Sequence, residues 1–240
     1  MPVGEAAVRA VLFDLWGTLV ASPAELRDAC FRAMAADLGV DPFCYADAFC
    51  DSHGERFTGA TGSLHDTVLS MAERCGGTPD RTAVARAAKR RIDLTRSLLT
   101  PSDETLAVLD ELRTRGFLLA LVTDSSIETP TLWRETPLAP RLDQAAFSCL
   151  LGVRKPDPEL FLHACEGLGV TPRECAYVGD GGGHELTAAT ALGMLAVRLR
   201  PRDAAASDRY DDDSAFAGAE VAALSELLSL PWATAAARTP

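Results

Sequence analysis

A chain of 240 residues with 48% hydrophobic side chains is long enough for a core domain with a smaller companion, and too apolar for disorder as the default. Its formal net charge of −11 argues against nucleic acid or an anionic membrane surface as partner, since both would repel it. Seven cysteines without a CxxC pattern read as neither a disulfide frame nor a zinc site. Cys30, Cys149, Cys165 and Cys175 fall in apolar runs and are expected as small buried hydrophobes. No basic segment followed by an apolar core opens the chain, and no apolar run approaches membrane-spanning length. The expectation is therefore a cytoplasmic protein in a reducing compartment.

The first element is "VRAVLFD" (8–14), a short apolar run ending in an aspartate. Residues 21–99 then read as helices only, over roughly 23–38, 42–57, 63–75 and 80–99, separated by "LGVDP", "TGATGS" and "CGGTPD". "SDETLAVLDELRTRG" follows as a helix, with Ser102 as N-cap, Thr105 at the third helical position and Gly116 closing it. "FLLALVTD" (117–124) is the second strand, and "LWRETPLAPRLD" is a stiff segment expected to pack over a sheet edge. "AAFSCLL" (145–151), "ECAYVGD" (174–180) and "MLAVRLR" (194–200) complete the strands. Between them lie the helices "DPELFLHACEGLG" and "HELTAATALG" (184–193). "SDRYDDDSAF" reads as an acidic surface loop, "GAEVAALSELLSL" as a closing amphipathic helix, and 233–240 as a frayed tail.

Strands of continuous rather than alternating apolarity are buried on both faces, as in a parallel sheet covered by helices. The βα rhythm therefore predicts an α/β fold: a Rossmann-like, doubly wound parallel sheet. Its core is 1–20 with 100–232, and 21–99 form a small all-helical domain inserted after the first strand. Such a sheet holds its ligands at the carboxyl ends of its strands. Asp14 ends the first strand before a Gly17–Thr18 turn, and Thr123 and Asp124 end the second. Lys155 follows the third in "GVRKPDPELF", and Asp180 ends the fourth in "YVGDGGGHEL", with Glu185 five residues on. Taken singly, each is a turn, cap or surface residue. Taken together at consecutive strand ends, they point to one site.

In "FDxxGTL", "VTD", "KPDP" and "VGD", at these spacings and in this order, the chain resembles the haloacid dehalogenase superfamily of phosphotransferases and hydrolases. The resemblance extends over nearly the whole chain and is to subfamily I, with an α-helical cap between the first two motifs. It implies Asp14 as nucleophile, forming an aspartyl-phosphate that water hydrolyses. It implies Mg2+ held by Asp14, Asp180, the backbone carbonyl of Trp16 and Glu185, directly or through water. Thr123, Asp124, Gly17 and Thr18 would bind the phosphoryl group, and Lys155 would hold it against Asp14. Lys155 and Lys89 are the only lysines, so a lysine at this spot is a specific choice. The implied partner is a small phosphorylated substrate, with no nucleic acid and no membrane, on a monomer or homodimer. The lysine-poor, Arg-rich composition fits a GC-rich bacterial source.

Two positions depart from the pattern, Glu185 in place of the commoner aspartate being the lesser. Family phosphatases carry a second aspartate two residues after the nucleophile, and here that residue is Trp16. An indole neither gives nor takes a proton at a useful pKa. Three readings follow. A phosphatase could take its proton from His184, Glu185, Glu128, Asp51, His53, Glu55, His65 or Asp66, or use a leaving group that needs none. A carbon-centred hydrolase would need no proton for a halide, but would not need the cation site. A binding protein without turnover would not need Asp14 as a nucleophile. His53 and Arg56 in "CYADAFCDSHGERFTG" are candidate substrate contacts.

Overall fold

The computed structural model describes residues 7–200 and 212–234. Among them, six strands form one sheet in which every neighbouring pair is parallel, in the order β3-β2-β1-β4-β5-β6. They are β1 (Ala10–Phe13), β2 (Leu118–Thr123), β3 (Gln144–Phe147), β4 (Cys175–Gly179), β5 (Leu195–Leu199) and β6 (Ala219–Val221). The chain winds outward from β1 through β2 to β3, then returns to lay β4 against the other side of β1. That reversal opens a crevice at the carboxyl ends of β1 and β4. Both ladders start at Ala10, opposite Leu118 on one side and Cys175 on the other, so Asp14, Asp124 and Asp180 finish near one another.

Alternation along the strands divides the core in two. Val11, Phe13, Leu119, Leu121 and Val178 face a cluster completed by Val108, Leu109 and Leu112 of α6 (Asp103–Thr114). Leu12, Ala120, Val122 and Tyr177 face the other cluster. It is completed by Leu160, Phe161 and Ala164 of α9 (Pro158–Leu168) and by Leu186 and Ala189 of α10 (Glu185–Ala191). Ser102 caps α6 as expected, its hydroxyl accepting from Thr105 N at 3.1 Å. Gly116 lies one residue beyond the Arg115 cap with φ +88°.

Between β1 and α6 lie five helices with an apolar cluster of their own, including Phe31, Met34, Tyr45, Phe49, Val68 and Met71. They are α1 (Ala24–Leu38), α2 (Pro42–Asp51), α3 (His53–Phe57), α4 (Leu64–Arg74) and α5 (Arg81–Leu98). The helix expected over 42–57 is thus two, broken at Ser52, whose hydroxyl donates to Phe49 O and accepts from Arg56 Nε. Such local side-chain bonding competes with the helical ladder. Cys44 and Cys75 form a disulfide, contrary to the reading of the cysteines as unpaired. They are 31 positions apart and become neighbours, Cα atoms 5.9 Å apart, only when α2 packs on α4. The inference of a reducing compartment loses that support. Cys149, Cys165 and Cys175 are buried as expected, whereas Cys30 is only half-buried.

Three further expectations are corrected. The strand read over 145–151 ends at Phe147, where its partner β2 ends at Thr123, and continues as the short helix α8 (Ser148–Leu151). The closing helix is instead strand β6 followed by a 3-10 turn over Leu224–Ser229. Pairing with β5 overrides local helical preference there. The "acidic surface loop" reaches Asp213, which is 1% exposed and accepts from the Thr187 N–H and hydroxyl in the first turn of α10. Positions 207–211 of that loop and 235–240 of the tail lie outside the described residues. The segment after β2 packs as expected: α7 (Glu128–Leu132) leads to Trp133, which lies edge-on to Phe147 of edge strand β3. No helix among the described residues is long and apolar enough to cross a membrane.

Leu109 is fully buried on the α6 face of the sheet. Leu109→Ala is expected to cost about 2–5 kcal/mol, read as a lowered urea midpoint with an unchanged m-value.

Candidate active site

Lys155 joins the strand ends. It is 2% exposed, and its ammonium donates at 2.5 Å both to Asp14 Oδ1, just past β1, and to Glu185 Oε2, at the start of α10. Asp124 Oδ1 accepts from the Lys155 backbone N–H at 2.9 Å, which ties the lysine's loop to the end of β2. Burial alone would push the ammonium's pKa down, but the Asp14 and Glu185 carboxylates outweigh it and hold the lysine charged. Burial raises the Glu185 pKa, Asp14 and Asp180 add to that, and Lys155 opposes it.

Glu185 is held at both oxygens. Oε2 also accepts from Tyr177 OH at 2.8 Å, and Oε1 accepts from Gly181 N at 2.9 Å. Asp180 Oδ1 accepts from Gly182 N at 2.9 Å. Two glycines let these carboxylates come so close. A Cβ on Gly17, at φ +84°, would stand 2.6 Å from Asp180 Oδ2, and one on Gly179 would stand 2.0 Å from Glu185 Oε1. Asp14, Asp180 and Glu185 each offer an oxygen within 4.8 Å of the others'. Three close hard oxygens suit a divalent cation such as Mg2+, which takes carboxylate ligands and keeps several waters. The donor set fits the metal that the sequence implies.

The other expected residues differ in what they offer. Thr18 is buried and its hydroxyl finds no partner among the described residues, so it is available to a ligand oxygen. The fully buried Thr123 hydroxyl is turned to Asp124 O at 3.3 Å. Trp16 is half-buried and packs against the larger core cluster. Several candidate proton sources are engaged elsewhere. Glu128 is paired with Arg91 at 2.6 Å, Glu55 with Arg74 at 2.5 Å, and Asp66 closes the capping box of α4. Asp51, His65 and His184 are exposed, His184 with φ +54°.

Sequence reasoning passed over Tyr177 and Asp213. Tyr177 reads as an ordinary strand former, and only the pleat shows that it lies on the face toward Glu185. Asp213 holds the glycine-rich loop after β4 from behind, its N–H donating to Gly181 O and its own carbonyl accepting from Arg198. An acidic run carries no signal that one of its members is buried.

The chain belongs to the haloacid dehalogenase-like hydrolase family, whose profile matches residues 8–193. It is 30% identical over 199 residues to a glyceraldehyde 3-phosphate phosphatase of Methanopyrus kandleri, covering 80% of this chain and 84% of that one. It is 38% identical over 155 residues to a phosphoserine phosphatase of Thermus thermophilus, covering 61% and 60%. Its fold is also that of a 2-haloacid dehalogenase from Pseudomonas syringae pv. Tomato, with TM-score 0.69, 23% identity, and 92% and 97% of the two chains covered.

Two measurements test this geometry. Gly179→Ala is expected to cost about 1–3 kcal/mol in chemical denaturation, because the new methyl group collides with the Glu185 carboxylate. His53 bears on pH. Burial, followed by the charges of Arg56, Arg27, Arg154 and Arg91, lowers its pKa from 6.5 to about 4. Between those values the unfolded chain binds the proton and the folded chain does not, so stability falls as pH drops from 6.5 towards 4. His53→Gln is expected to flatten that part of the curve, measured by urea denaturation at several pH values.

Proposed function

We propose that this hydrolase is a magnesium-dependent phosphatase of a small phosphorylated metabolite, working through an aspartyl-phosphate on Asp14. The observation that carries the reading is Asp14 itself: a buried carboxylate, tethered by Lys155 through one oxygen, beside two further carboxylates. The relatives named as phosphatases of glyceraldehyde 3-phosphate and phosphoserine support it. Residues 1–20 and 100–232 act as the core in this reading, and 21–99 as a cap that closes over the substrate and excludes water.

Asp14, Asp180 and Glu185 would hold the metal, with the Trp16 backbone carbonyl as a further donor. When bound, Mg2+ supplies positive charge against the phosphate oxygens and the acidic residues. That charge is needed. Asp14, Asp124, Asp180 and Glu185 stand around the strand ends, and Lys155 alone cannot offset four carboxylates and a dianionic phosphate. Asp14 Oδ1 stays with Lys155 while the other oxygen attacks phosphorus. The P–O bond to the leaving group breaks, and the leaving oxygen departs with the electron pair. Thr18 and Thr123 donate to the transferring oxygens. Water then attacks phosphorus, the Asp14–phosphorus bond breaks, and phosphate and the free carboxylate are released. Lys155 remains protonated throughout and serves as a fixed charge.

Trp16 leaves the proton for the departing oxygen unsupplied. General acid assistance is worth about 10²–10⁴-fold, so the expected profile is turnover of aryl or other good-leaving-group phosphates and slow turnover of alkyl ones. A carbon-centred hydrolase is the second reading, favoured by Trp16, since halide departs unprotonated. The acidic cluster weighs against it.

Phosphate release from an aryl phosphate and an alkyl sugar phosphate tests the proposal. Aryl turnover should vanish on chelation of Mg2+ and fall below detection in Asp14→Asn. Trp16→Asp should raise the alkyl rate by about 10–100-fold. Halide release from a 2-haloacid without added metal, with no phosphate release, would replace this reading by the second.

A further inference from the structure

The loop that carries two of the three clustered carboxylates is poorly built to hold its own shape. Asp180 and Glu185 stand at its ends, with Gly181, Gly182, Gly183 and the exposed His184 between them. Gly181, Gly183 and His184 have φ values of +101°, +63° and +54°. Glycine loses more conformational freedom on folding than any other residue, so three in a row fix the spacing of the two carboxylates only weakly. The helix that follows, α10, has seven residues, and His184 makes no side-chain bond to its first turn. Rigidity has to come from outside the loop.

Asp213 grips the loop at two points. It is 1% exposed and lies 26 positions beyond Thr187. Its Oδ2 accepts from Thr187 N and its Oδ1 from the Thr187 hydroxyl, both at 2.6 Å, two residues after Glu185. At the other end its N–H donates to Gly181 O at 2.9 Å, one residue after Asp180. Gly181 C=O and Gly182 N–H belong to one planar trans peptide unit and point in opposite directions. Asp213 holds the oxygen end, while the N–H end donates to Asp180 Oδ1 at 2.9 Å. Fixing that peptide therefore fixes the direction in which Asp180 is held.

Asp213 is anchored in turn. Its carbonyl accepts from Phe216 N at 3.1 Å, closing a tight turn, and from Arg198 Nη2. Arg198 comes from β5, where it is paired with Gly179 of β4, and its guanidinium carbon lies 5.3 Å from the centre of the Phe216 ring. A Cβ on Gly181 would stand 3.4 Å from both Arg198 Nε and Nη2, so the loop lies close against that side chain.

We propose that Asp213 is a positioning residue for the metal site. By gripping the loop at Gly181 and Thr187 it sets the spacing and aim of the Asp180 and Glu185 carboxylates, and with them the affinity for a divalent cation. The inference rests on the magnesium-dependent reading of the site and adds a residue that touches neither cation nor substrate.

The test measures Mn2+ binding to the full chain by electron paramagnetic resonance, since Mn2+ accepts the same hard oxygen ligands as Mg2+. Groups that orient metal ligands are typically worth 10–100-fold in affinity, so Asp213→Ala should raise the Mn2+ dissociation constant by about 10–100-fold. Asp213→Asn, which keeps one acceptor for Thr187, should raise it by less. Two controls separate positioning from stability. Leu109→Ala weakens the opposite face of the sheet, and Asp212→Ala removes the exposed neighbouring charge; both should stay within about 2-fold of wild type. If Asp213→Ala does not fold, Thr187→Val carries the comparison: it loses the hydroxyl bond alone, with about a 3–10-fold rise expected. A folded Asp213→Ala within about 2-fold of wild type overturns the proposal, as does an equal loss in Leu109→Ala, or an unchanged Thr187→Val where the alanine variant is unfolded. Absence of Mn2+ binding by the wild-type chain overturns it together with the metal assignment. Mn2+ binding without phosphate release from any ester would count against the phosphatase reading alone, and the dissociation constants would still decide the role of Asp213.

Discussion

The ammonium of Lys155 is the contact on which the site depends. It draws together Asp14 and Glu185, which come from different ends of the chain and would otherwise repel across a buried gap. A buried ion cluster is stable only if its remaining donors and acceptors are satisfied. Asp124 takes the lysine's N–H, and Tyr177 and Gly181 take the remaining demands of Glu185. Removing any one of these leaves a charge without its partner in a dry environment, where such losses cost most. The parallel sheet makes the arrangement reachable, because every strand delivers its end to the same edge.

Around that contact the chain separates its charges by location. The strand ends carry the acidic cluster, which suits a divalent cation, and the packing between the helical segment and the sheet carries Arg56 and Arg91. Asp14, Glu185 and Lys155 in the first and Arg56 in the second are buried, so charge interactions among them are weakly screened.

Support from behind completes the picture. The "GDGGGHE" loop is thin, with φ values of +101° and +63° at Gly181 and Gly183, and gains little rigidity from its own side chains. Asp213 supplies what it lacks. Its carboxylate takes the open N–H of Thr187, an interaction favoured by the positive end of α10, while its backbone ties Gly181. His184 at the N-cap position makes no side-chain cap bond, so the cap arrives from a distant segment.

That Asp14, Thr123, Asp124, Lys155, Asp180 and Glu185 gather at one edge is legible from sequence, because each ends or follows a recognisable strand and a parallel sheet brings its strand ends to one edge. Five of the six described strands are legible because burial on both faces demands continuous apolar runs. Where contacts span the chain, the sequence was silent or misleading. The Cys44–Cys75 disulfide, the burial of Asp213, the pairing that turns 219–221 into a strand, and the hydrogen bond from Tyr177 to Glu185 are all non-local. Arg56 shows the division within a single residue. Its position in a helical segment was readable, but burial against neutral oxygens and a competing arginine follows only from packing two separate units together. Local pattern determined which elements form and which chemistry lies at their ends. Tertiary structure decided which charges meet and which are left uncompensated, because that balance is set by distance in space and exclusion of water.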